Sequence, residues 1–189
     1  MQATLFATPI QPASVPWGDN HADEFIAPPG APQQVAMGQL KVGTHAGHLQ
    51  ALLGSCVGIA FIWKKQRRCA LAHCLLPECE QANNELGARY VSQAVPSLLR
   101  LIGATEADYA DIEVVLAGGA TMLNGCSSRF QIGQQNADAA RRHLRKYGLH
   151  VSYCRVGGKS GRTMNIDCAT CEYTVQEISP SSRTGVAHA

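Results

Sequence analysis

The chain has 189 residues, 46% hydrophobic and 16% charged, the balance of a folded domain with its own core rather than a disordered segment. Its net charge of +2 is too small to argue for nucleic acid or a membrane surface, and no apolar run approaches the roughly 18 residues of a membrane span. With no basic and apolar leader at the N-terminus, the eight cysteines read as reduced cytosolic thiols rather than a disulfide framework.

Residues 1–36 carry Asp19, Asp23 and Glu24 and no Lys or Arg, which leaves +5 on the remainder. They also hold six of the nine prolines and no sustained periodicity, so they read as a flexible or loosely docked N-terminal extension. A globular domain is expected over 37–176, with 177–189 a loose tail. Within it, 37–42 and 48–53 look like strands leading into Gly54-Ser55-Cys56. Residues 57–63 and 69–76 look like a hairpin joined by the charged turn 64–68. Apolar positions at Leu86, Tyr90, Val91, Ala94, Val95, Leu98 and Leu99 predict a helix over 84–102, kinked or broken near Pro96. A buried strand follows over 112–117, ending at Gly118-Gly119. A helix over 133–147 has Asn136 near its start and Gly148 at C′. Strands at 150–155, 162–168 and 172–175 flank the turn 157–161.

The chemistry concentrates at Cys56. Small neighbours and apolar strands on both sides put it where the backbone turns sharply, and Gly54 permits that turn and a close approach of substrate. Amides around such a turn are suited to an oxyanion, although a buried core cysteine fits the same pattern. His73 lies in an otherwise apolar strand, across one hairpin from Cys56. Antiparallel pairing of 57–63 with 69–76 would bring both residues to one end of the sheet, as a thiol and its base require. A neighbouring imidazolium would lower the thiol pKa. A satisfied core histidine is the alternative.

Several ordered segments resemble the chemoreceptor glutamine deamidases of bacterial chemotaxis, the CheD family. They are Leu53-Gly54-Ser55-Cys56-Val57, Ala72-His73 with Leu76-Pro77, Gly118-Gly119-Ala120 with Met122-Leu123, Ile132-Gly133 with Asn136, and Gly157-Gly158 with Gly161-Arg162. The resemblance implies a layered α/β sandwich with a mixed, largely antiparallel sheet flanked by helices. Its Cys–His arrangement would be similar to that of the deamidating bacterial cytotoxins. It implies a cytoplasmic cysteine hydrolase with Cys56 as nucleophile and His73 as base, turning receptor glutamines into glutamates without metal or organic cofactor. Gly54 and Ser55 would line the oxyanion site, and Gly157, Gly158, Gly161 and Arg162 would form a loop bordering the substrate. The family threonine, third in its catalytic set, falls on Gln50, whose amide oxygen would have to orient the histidine ring. The implied partners are methyl-accepting chemoreceptors and a CheC-type phosphatase, with no nucleic acid and no membrane insertion. Gln50 favours a second reading, a weakly active or inactive adaptor.

Other signals are slighter. Cys168 and Cys171 form a CxxC, but zinc needs two more ligands and Cys74, Cys126 and Cys154 lack the spacing. The basic run 141–146 reads as a solvated helix face whose last turn carries favourable cations. Residues 157–161 lack the upstream glycine of a phosphate loop.

Overall fold

The computed structural model describes residues 32–80, 85–121 and 131–178. Its strands are β1 (Gln33–Gln34), β2 (Leu40–Thr44), β3 (His48–Leu53), β4 (Val57–Trp63), β5 (Arg68–Cys74), β6 (Glu113–Gly118), β7 (Val151–Val156), β8 (Arg162–Asp167) and β9 (Glu172–Glu177). Helices α1 (Val91–Ile102) and α2 (Ile132–Lys146), with short 3₁₀ helices at Lys64–Gln66 and Glu106–Asp111, complete the described elements. The α/β class is as the sequence implies, with the strands divided between two mixed sheets, β2-β5-β4-β6-β7 and β1-β3-β8-β9.

Strand β4 lies inside the larger sheet and is buried at every position, so it reads as a continuous apolar run rather than an alternating one. Its alternate residues still serve two cores. Val57, Ile59, Phe61 and Trp63 meet the helices through Ala94, Leu98 and Leu144. Ala60 and Ile62 point the other way, onto Leu49, Ala51 and Leu53 of β3 and Met164 and Ile166 of β8. The result is three layers: helices, large sheet, small sheet. The chain leaves the small sheet at Leu53 and enters the large one at Val57, so Gly54-Ser55-Cys56 is the corner where it changes sheets.

Differences from the expected elements have local causes. Helix α1 starts at Val91 because Arg89 is drawn into extended pairing, its carbonyl accepting from the amides of Leu75 and Leu76. The helix runs unbroken through Pro96. The carbonyl that loses its partner there belongs to Ser92 in the first turn, where it costs least. The end of α2 is as expected: Gly148 has φ +68, and the Gly148 and Leu149 amides bond back to Arg145 and Leu144. Pairing of Gln34 with Gln50 carries the small sheet back before residue 37.

Candidate active site

The corner at Cys56 is held through its carbonyls. Gly54 O accepts from the Ala120 amide at 2.8 Å and Cys56 O from the Gly119 amide at 2.7 Å. Ser55 O accepts from Asn136 Nδ2 at 3.1 Å. A trans peptide sets each N–H opposite the preceding carbonyl, so the Ser55 and Cys56 amides point away from these partners. Gly118 and Gly133 are points of close approach, whereas Gly54 has open space around it and no positive φ, so the corner does not require a glycine there. A Cβ on Gly118 (φ +100) would collide with the Cys56 carbonyl, and one on Gly133 with the carbonyls of Gly119 and Ala120. Cys56 is 5% exposed. Burial pushes its thiol up, and a hydrogen bond from its own backbone N–H offsets part of that.

His73 pairs with Gly58 in the β4–β5 register. Alternation puts its ring between the two sheets, at the end of the sandwich where Cys56 lies. The ring is 3% exposed. Nδ1 lies 3.0 Å from the Val35 carbonyl, which only accepts, so Nδ1 carries the proton and Nε2 is a bare acceptor. Nε2 is buried and has no hydrogen-bond partner. Burial lowers the histidine pKa and the Val35 carbonyl partly offsets this. Both shifts favour the uncharged forms, a thiol at Cys56 and a neutral imidazole at His73. The imidazolium expected to lower the thiol pKa is thus the disfavoured form of His73.

Gln50 does not orient the ring. It sits on β3 with Leu49 and Ala51 turned into the core, so its own side chain faces outward, where Nε2 donates to Asn165 Oδ1 at 2.6 Å. What Gln50 contributes is its backbone carbonyl, which accepts from the Val35 amide at 2.7 Å. Val35 in turn holds His73. Nothing in the sequence signals a main-chain carbonyl in this place, because any residue supplies one. Gln50→Ala is therefore expected to keep kcat within about threefold, the scale of a surface substitution, measured on the same substrate as the parent.

Loop 157–161 braces the site. Arg162 is buried, with Nη1 donating to Gly157 O at 2.7 Å and reaching Gly118 O at 3.5 Å, so it ties the loop to the end of β6. Gly157 and Gly158 take positive φ, and the Gly158 carbonyl accepts from the Thr121 amide at 2.8 Å. Gly161 lines a cleft of about 440 Å³ with Leu52, Leu53, Gly54, Lys159, Ser160 and Ile178. Leu52 is 58% exposed and Ile178 41%, so this apolar cleft opens directly beside the corner.

Sequence reasoning placed Asn136 in a motif without giving it a task. It is fully buried and also donates to Leu75 O at 3.0 Å. Cys74 is turned to the helix side and burial raises its pKa. Cys168 and Cys171 are buried with Cys69 in the inter-sheet core. In the basic run, Arg142 and His143 both bond Glu78 at 2.9 Å. The motif residues Met122 and Leu123 lie outside the described residues.

A family model for CheD chemotactic sensory transduction matches residues 75–177. A Bdellovibrio bacteriovorus protein named as a probable chemoreceptor glutamine deamidase CheD is 38% identical over 146 residues, covering 76% of this chain and 93% of that one. A protein of Ruegeria sp. with the same printed function is 34% identical over 163 residues, 76% of this chain and 90% of its own. A Methanococcus vannielii relative, again named for that function, is 32% identical over 144 residues, 76% of this chain and 94% of its own.

Proposed function

The chain belongs to the CheD family, and on that premise we propose that it is a protein-glutamine deamidase of methyl-accepting chemoreceptors acting through Cys56. The observation that carries the assignment of residues is the buried, unpartnered Nε2 of His73, an acceptor held ready by the Val35 carbonyl at the end of the sandwich where Cys56 lies.

The Cys56 thiol proton passes to His73 Nε2 as Sγ bonds to the carboxamide carbon of a glutamine. The Ser55 and Cys56 amides receive the oxyanion, each such donor worth about 10²–10³-fold in rate. His73 then returns the proton to the amide nitrogen, the C–N bond breaks and ammonia leaves, with a thioester on Cys56. A water gives a proton to Nε2 and its oxygen attacks the thioester. The C–S bond breaks, and the thiol regains its proton from His73. The net reaction is glutamine plus water to glutamate plus ammonia. Proton transfer by such a base contributes about 10²–10⁴-fold.

The cleft beside Gly54 receives the residues flanking the target glutamine. Its apolar walls, with Lys159 as the one charged side chain among the lining residues, suit a segment that presents apolar groups there. Leu52→Asp is expected to raise KM about tenfold, the loss of a modest apolar contact, with kcat nearly unchanged. Steady-state deamidation of a receptor cytoplasmic fragment measures both constants.

We place the protein in the cytoplasm, where its receptor substrates present their signalling regions. Among the described residues no helix is long and apolar enough to cross a membrane. A CheC-type phosphatase is the second partner that family membership suggests. The adaptor reading rested on Gln50, and a histidine held by Val35 does not depend on that side chain. Release of ammonia in step with new receptor glutamates tests the proposal. Binding of the fragment with no ammonia released would return the adaptor reading.

A further inference from the structure

We propose that Asn136 is a positioning residue that sets the nucleophile corner against the histidine strand, an inference that rests on the deamidase reading. Its Nδ2 donates to two carbonyls from separate segments, Ser55 O at 3.1 Å and Leu75 O at 3.0 Å. Ser55 directly precedes the nucleophile. Leu75 follows the histidine by two residues. Both amide protons are used, so one carboxamide ties the two catalytic segments together across the end of β4 and β5.

The orientation of the amide is fixed by chemistry, since the flipped form would set Oδ1 against two carbonyl oxygens. Its own Oδ1 is buried with no partner. Both donors of the carboxamide are thus committed to main-chain carbonyls of the two segments, which is what a tie between them requires. Helix α2 is seated for this task. Gly133, one turn before Asn136, lies so close to the carbonyls of Gly119 and Ala120 that a Cβ there would collide. That contact brings the first turns of α2 onto the corner.

Asn136→Asp keeps the shape and replaces the donor with a carboxylate facing two carbonyl oxygens, an arrangement relieved by protonation. The titrating groups on the two segments it joins are Cys56, His73 and Cys74. The wild-type rate falls as acid protonates His73, whereas the Asp variant should gain relative to wild type as pH falls. At neutral pH its kcat on a receptor cytoplasmic fragment should drop about 100-fold, the scale of a misplaced reacting group, with KM changed less than about threefold. Asn136→Ser retains one donor and should lie between, which keeps the test open if the Asp variant does not fold.

The pH profile of Cys56 alkylation by iodoacetamide is measured alongside, on variants with an intact melting transition. An altered profile in the variants supports the inference even if wild type shows no receptor turnover, which would count against the deamidase reading alone. Folded variants with wild-type kcat, pH dependence and alkylation profile overturn it.

Discussion

Cys56→Ser is expected to abolish conversion of receptor glutamine, lowering kcat by at least about 10³-fold while the fragment still binds. The substitution changes one atom in a site 5% exposed, so the fold and the carbonyl bonds of the corner should stay. What changes is the acidity of the group that must give up its proton. A serine hydroxyl is far less acidic than a thiol of ordinary pKa about 8.5, and burial already pushes the Cys56 thiol up. A neutral imidazole can activate an alcohol in a site built for one, but in a corner arranged around sulfur the far less acidic hydroxyl gives up its proton more slowly. The leaving step suffers too, since a thioester is hydrolysed more readily than an oxygen ester. Single-turnover assays with enzyme in excess separate binding from chemistry. Retained turnover in Cys56→Ser would remove Cys56 from the reaction.

The second large effect belongs to His73. His73→Gln should lower kcat by about 10²–10⁴-fold at neutral pH, the usual contribution of a general base. The pH dependence should change with it. In the wild type the folded histidine pKa is depressed by burial, so the base stays neutral, and the rate holds, to below the ordinary value of about 6.5. In the variant the residual rate should climb with pH toward the raised ionisation of the thiol.

Stability carries the same signature. Because the folded pKa is depressed, the unfolded chain takes up the proton first as pH falls through about 6.5, and the wild type loses stability from there down. His73→Gln should flatten that part of the acid limb in melts followed against pH. A variant with the wild-type acid limb of both rate and stability would contradict the assignment.

Much of the geometry around the candidate site was legible because it is written in side chains and spacing. A cysteine between small residues, a histidine across a short hairpin, and glycines in order were enough to place β3, β4 and β5 and the shared end of the sheet. The glycines proved legible for a physical reason: Gly118 and Gly133 sit where any Cβ would meet a carbonyl. The division into two sheets was not legible, because periodicity shows that β3 alternates without showing that its partner is β8. The orientation of His73 was hidden for a different reason. Its partner is a main-chain carbonyl at Val35, brought in by parallel pairing of a two-residue strand with β3. Gln50, six residues before Cys56, suggested a side-chain role that the outward face of β3 denies. Asn136 was visible as a motif letter, but its task depends on two carbonyls far away in sequence. The start of α1 was misjudged because helical spacing does not report the competing pairing of Arg89 with Leu75 and Leu76.

The most direct test of the central claim is the intact mass of a chemoreceptor cytoplasmic fragment after incubation with the full chain, beside a Cys56→Ala control. A gain of about one mass unit per modified glutamine is expected with the wild type and none with the variant. An unchanged mass with the wild type, or an equal gain with both proteins, would contradict it.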